Sequence, residues 1–218
     1  MDFDKTKFLL VVALLILILI AMSFAVYNKV PQNIATHWNI EGNADSYMPK
    51  EIGLFLVPIF GIIISAVLLV VPMIDPLRKN IQEFIRYYNL FVLVMLGFLL
   101  YIHAITIIAN LGYEFNMGQL ISPAIGVIFF FAGILVGHTK KNYMIGIRTP
   151  WTLASEAVWD KTHDKGRTAL KISGIICFFG LIIPKFAFWF ILIPVIASVA
   201  YLFVYSYLEY KSEEKTKK

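Results

Sequence analysis

Six long apolar runs, at roughly 8–26, 52–74, 90–109, 120–137, 172–184 and 186–208, decide what this chain can fold into. An α-helix rises about 1.5 Å per residue, so roughly 20 apolar residues cross a hydrocarbon core of about 30 Å. Four runs reach or approach that length. The fourth and fifth are shorter and are expected to extend at their interfacial ends. With 59% hydrophobic residues in 218, a water-soluble globule is excluded. The pattern predicts an all-α integral membrane protein with six transmembrane helices, a short outer loop module and an interfacial inner loop. The first run has no small-x-small cleavage site before Asn28, so it is expected to stay as an anchor rather than be removed.

Charge fixes the expected orientation. An even number of crossings puts both termini on one side. Threading the chain with Met1 in the cytoplasm leaves 16 of 19 basic residues inside, with only Lys29, Lys50 and Lys185 outside. Inner segments then hold 16 basic and 10 acidic residues; outer segments hold 3 and 4. This excess fits attraction to anionic membrane lipids, and no direct nucleic-acid contact is expected. A multi-pass membrane protein with both termini in the cytoplasm follows. Two regions are expected: a two-span region at 1–89 carrying the outer module (27–51), and a four-span region at 90–218 carrying the inner loop (138–168).

Pro58, Pro123 and Pro194 fall inside runs and each removes a backbone donor. Glycines are scattered, and none is read as a GxxxG pair marking one packing face. Pro184-Lys185 allows only a tight turn. The tail Glu209–Lys218 mixes acid and base and reads as a frayed, solvated helix end.

The apolar cores contain no Asp, Glu, Lys or Arg, which argues against an ion-coupled carrier. His103 is the ionisable group at membrane depth besides the thiol of Cys177, and a neutral imidazole bonded to a neighbouring helix is the plainer reading. The four histidines have no metal-ligand spacing, there is no catalytic triad and no phosphate-cradling glycine loop, so neither metal nor cofactor nor enzymatic activity is expected.

Chemistry concentrates in two loops. In the inner one, Gly146 permits a tight bend and Arg148 offers a planar fork of donors. Thr149 and Pro150 suit a helix start, as N-cap and first residue. Trp151 and Trp159 read as headgroup-level anchors of an interfacial helix. In the outer loop Pro31 and Pro49 bound two short extended pieces around a Gly42-Asn43 turn. His37 and Asp45 are placed to form a charge-assisted pair, with Trp38 and Tyr47 resting on the outer leaflet. Either loop also admits a plainer reading, an interfacial anchor and a small cap over helix ends.

The string Asn142-x-x-x-Gly146-Ile-Arg148-Thr149-Pro150-Trp151-Thr152, followed by Glu156-x-x-Trp159-x-x-Thr162-His163, closely resembles the signature of the SdpI family. The outer loop, from Val30-Pro31 through His37-Trp38-Asn39, Gly42 and Asp45 to Pro49-Lys50, resembles a small module that often precedes it. The resemblance implies a membrane immunity or sensing protein that counters a membrane-active secreted killing peptide. Some members of the family also hold a cytoplasmic transcription repressor at the membrane. The implied binding residues are His37, Trp38 and Asp45 outside, and Asn142, Gly146, Arg148, Thr149, Pro150, Trp151, Trp159 and His163 inside. Two other classes stand beside this one. A small-solute transporter or channel would have to use the thin polar set His103, Thr106, Asn110 and Ser122. An enzyme on lipid-linked substrates would use Arg148, Asp160 and His163 at the inner interface.

Overall fold

The computed structural model describes residues 4–216; Met1–Phe3 and the two final lysines, which enter the charge count above, lie outside the described residues. Asp4 caps α1 (Lys5–Val26), its carboxylate accepting from Thr6 N–H at 3.3 Å. A hairpin of β1 (Asn33–Trp38) and β2 (Ala44–Pro49) follows, then α2 (Lys50–Ile74), the short α3 (Arg78–Glu83) and α4 (Ile85–Asn110). Next come α5 (Met117–Val136), α6 (Pro150–Ala154), α7 (Glu156–Cys177), α8 (Phe179–Ile182) and α9 (Ala187–Thr216). The chain is an all-α membrane protein decorated by one antiparallel hairpin, which turns at Gly42 (φ +85°) and bulges between Ala35 and Trp38.

Among the described residues five helices, rather than six, are long and apolar enough to span by themselves: α1, α2, α4, α5 and the helical stretch Pro184–Thr216. The fifth run is divided. Its first part ends α7, whose other half is polar, and its second part is α8 with the turn after it. Together α7 and α8 nevertheless run antiparallel to α5 along its whole length. Gly133 and Gly137 lie against Arg167, Gly126 against Gly174, Ser122 Oγ donates to Cys177 O at 2.6 Å, and Gln119 Nε2 to Leu181 O at 2.8 Å.

That seam corrects the reading of the glycines. Gly133 and Gly137 are a GxxxG pair, and α5 uses them with Gly126 as one face. A Cβ on Gly126 would sit 2.5 Å from the Gly174 carbonyl oxygen; one on Gly174 would sit 2.6 Å from that of Gly126. Backbone meets backbone there. On the far side, α7 meets α9 through small hydroxyls, with Ser173 Oγ and Ser198 Oγ 2.8 Å apart.

The remaining helices pack around α4. Phe8 and Val12 of α1, Ile81 and Phe84 around α3, and Tyr88, Val92 and Leu96 of α4 form one buried cluster. The Tyr88 hydroxyl reaches the Leu68 carbonyl of α2 at 2.7 Å. Deeper in the same group, Ser23 Oγ donates to Leu54 O at 2.7 Å and lies 3.0 Å from His103 Nε2, joining α1, α2 and α4. The C-terminal tail also departs from expectation: α9 continues to Thr216, and Glu209 and Glu213 are engaged by Lys161 and Ser155 instead of fraying in solvent.

Because overpacking an interior typically costs about 1–3 kcal/mol, Gly126→Val is expected to lower the melting temperature of the purified protein clearly. Gly97→Ala, where an added Cβ meets nothing within 4 Å, is expected to leave it unchanged. Thermal unfolding in one detergent compares the two.

Candidate functional site

The residues singled out in the sequence fall at opposite ends of the helix bundle. At one end stands the hairpin. His37 Nδ1 and Asp45 Oδ1 are 2.5 Å apart across its two strands, and both side chains are substantially exposed. Trp38 is half-buried beside them. Below, Ile34 is buried among Val30, Leu54 and Ile107, so the strand alternation points one face into the bundle. Two asparagines fasten the hairpin: Asn110, which the sequence offered only for a transport path, and Asn116, which sequence reasoning passed over. Asn110, at the end of α4, accepts from Ala35 N–H at 2.7 Å and donates to Ala35 O at 3.0 Å. Asn116 caps α5 through Gln119 N–H and donates to Glu41 O at 2.7 Å, beside the Gly42 turn. The polar set weighed for a transport path is therefore largely committed: Asn110 to the hairpin, Ser122 to α7 and His103 to Ser23.

At the other end the loop between α5 and α6 is wound around Asn142. This side chain is fully buried and uses all four of its bonds: Oδ1 accepts from Met144 N–H and Ile145 N–H, and Nδ2 donates to Lys140 O and Ile145 O. Asp75, just past the end of α2, is buried too. Its carboxylate takes Leu77 N–H at 2.7 Å and Tyr143 N–H at 2.8 Å, tying the α2–α3 turn to this loop. Asn80 adds a second tie through Lys141 O. An Asp directly before Pro76 was the available signal, though nothing local names its distant partner.

Gly146 follows at φ +123°, and a Cβ there would lie 2.5 Å from His163 Nε2. Glycine is thus required both by conformation and by space. His163 is buried: its Nδ1 is 2.8 Å from Trp159 O, and its Nε2 accepts from Ile147 N–H at 2.9 Å. These partners define the neutral, Nδ1-protonated tautomer. Burial pushes its pKa down to about 4, against the smaller upward pull of the Trp159 carbonyl. With both nitrogens committed, His163 holds the loop rather than facing a substrate.

Trp159 overturns its assigned place at the headgroups. It is completely buried, stacked on His163 with ring centroids 4.0 Å apart, and its Nε1 donates to Thr139 O at 3.2 Å. The cause is that α7 begins at Glu156, so Trp159 faces the bundle rather than the bilayer surface. Trp151 packs edge-on to Phe203 of α9 and against Tyr207, each at 5.0 Å. Thr149 and Pro150 start α6 as their chemistry predicts, with a reciprocal capping box between Thr149 and Thr152. Thr149 Oγ1 also donates to Ser206 of α9 at 3.0 Å. Arg148 is exposed and donates through Nη1 to Tyr143 O at 2.6 Å.

These features define a multi-pass α-helical membrane protein with a hairpin cap at one end and a hydrogen-bonded, arginine-bearing loop at the other. Residues 14–62 match a domain of unknown function, DUF1648, and residues 138–206 match the SdpI/YfhL protein family. The chain is also 24% identical over 165 residues, 73% of its own length and 76% of the relative's, to the immunity protein SdpI of Bacillus subtilis (strain 168). It is an SdpI-like protein with a DUF1648 module. No solved structure matches it.

The His163 geometry gives a pH test. A folded-state pKa near 4 against 6.5 means that the unfolded chain binds the extra proton first as pH falls. This contribution to stability is fully present above about pH 6.5 and declines by up to about 1.4 kcal/mol per pH unit towards pH 4. The difference in melting temperature between wild type and His163→Gln is expected to narrow as pH falls from 7.5 to 5.

Proposed function

We propose that this chain is an immunity-type protein of a prokaryotic cytoplasmic membrane, protecting its cell against a membrane-active secreted peptide. The observation that carries the reading is the similarity to SdpI, which extends over 73% of the chain and is accompanied by matches at both ends of the bundle. In this reading the hairpin end faces outward, with its exposed His37–Asp45 pair, and meets the peptide first. The loop end faces the cytoplasm, because that orientation keeps 16 of 19 basic residues inside. The sixth crossing is made by the C-terminal half of α7 together with α8, leaving Trp159 and His163 on the inner side of it. Their antiparallel run beside α5 supports this, and it returns both termini to the inner side. The boundary between the two regions proposed from the sequence, 1–89 and 90–218, then falls within the first two turns of α4.

The exposed Arg148 supports a second role at the inner face. Its fork is held at one point by Tyr143 O, leaving further donors for a headgroup phosphate or for acidic side chains of a cytoplasmic repressor. Asn142, Gly146, Thr149, Pro150, Trp151, Trp159 and His163 serve this role by fixing the loop that carries it.

Two measurements test the proposal. With Cys177 replaced, a cysteine at Asn43 is expected to label from outside intact cells and one at Ser155 is not; the reverse pattern would overturn the orientation. Expression in a sensitive cell is expected to preserve membrane potential during challenge with a small secreted peptide encoded beside this chain. Trp38→Ala is expected to weaken that protection without lowering protein level, and survival unchanged by expression would overturn the immunity reading.

A further inference from the structure

Two cavities flank the hairpin. The larger, about 760 Å³, opens between the hairpin and the α4–α5 link, walled by Asn33, Trp38, Tyr47, Tyr113, Glu114 and Phe115. The smaller, about 280 Å³, lies beneath the hairpin among apolar residues that include Leu56 and Val57 of α2, Ile102 of α4 and Ile121 of α5. Trp38 is the residue that lines both. Volumes of this order suit a bound ligand or a short peptide segment.

Several charges at this end are already partnered. Asp45 is paired with His37, and Glu51 takes Tyr27 and Gln32. Lys50 is occupied by the Tyr27 carbonyl and stands over the Tyr27 ring. No basic side chain lines the larger cavity, whereas Glu114 is exposed on its wall and has no hydrogen bond or ion pair among the described residues. A cavity with an unpaired carboxylate and aromatic walls favours cations over phosphates, so a lipid headgroup is a poor occupant.

Resting on the peptide-immunity reading, we infer that these cavities form one site for a cationic amphipathic peptide. Its basic, polar segment lies along the upper cavity against Glu114 and the aromatic walls. One aliphatic or aromatic side chain passes Trp38 into the lower cavity, leaving water for an apolar pocket at the edge of the hydrocarbon. A peptide held this way has its apolar anchor sequestered before it can insert elsewhere.

The probe is a synthetic amphipathic Lys/Leu peptide carrying one photoreactive benzoylphenylalanine, added to the full chain reconstituted in phosphatidylcholine vesicles. Adducts are expected in 33–47, 109–116 and the first turns of α2. Glu114→Gln is expected to weaken binding by up to about fivefold at low salt, the range of an exposed ion pair, and Glu114→Lys by more. Thr106→Phe, which fills the lower cavity, should remove the adducts in α2 while leaving the charge effect. Melting temperature checks that each variant is folded, and the surface substitution Glu114→Lys keeps the test decisive if Thr106→Phe is not. Adducts confined to lipid-facing helix surfaces, or binding indifferent to Glu114→Lys, would overturn the site. Cellular protection without adducts here would sink this inference alone; adducts without cellular protection would sink the immunity reading and leave the site standing.

Discussion

Everything in this protein hangs on how closely α5 and α7 approach. In hydrocarbon, helices gain nothing by hiding apolar side chains from one another, so association depends on packing contact and on polar bonds between helices. Gly126 and Gly174 let the two backbones touch, and Gly133 and Gly137 extend the contact past Arg167. Ser122 and Gln119 then donate to carbonyls at the far end, where α7 gives way to α8. Those carbonyls need partners, because an unpaired polar group in lipid costs several kcal/mol by order of magnitude. The seam lets a half-polar helix sit at a depth that its composition alone would not earn.

From the seam follows the stiffness of the loop end. α7 is held against α5, so Trp159 and His163 are fixed in the bundle and offer Ile147 N–H one well-placed acceptor. Asn142 and Asp75 take the N–H groups of Tyr143, Met144 and Ile145, and α6 is clamped to α9 through Thr149 and Trp151. A chain segment with little regular secondary structure thereby acquires one conformation. The order comes from buried polar groups that are fully partnered, the condition under which such networks add definition rather than cost.

Local chemistry was legible in the sequence, and distant partnership was not. The Thr149-Pro150 helix start, the Gly42 turn, the Gly146 bend and the His37–Asp45 pairing each depend on residues within a few positions of one another or on one hairpin register. Trp159 was misplaced because a tryptophan beside lysines looks alike whether it meets lipid or protein. Only the packing of α7 on α5 separates the two cases. The roles of Asp75, Asn110 and Asn116 escaped for the same reason: their distant partners lie 68, 75 and 75 residues away. The fifth span misled differently, since its apolar residues are shared between a helix that begins in polar surroundings and a second short one. The Gly133–Gly137 spacing, by contrast, was present in plain sight.

The grip of Asn110 on Ala35 has a consequence for what the hairpin can recruit. A two-stranded sheet is nearly all edge, and open edges template the addition of further strands, including those of a second copy. By engaging both the N–H and the carbonyl of Ala35, the Asn110 amide stands in for the neighbouring residue of an absent third strand. The middle of β1 is thereby closed to growth of the sheet, so a visitor to this face is met by side chains and not stitched on as another strand.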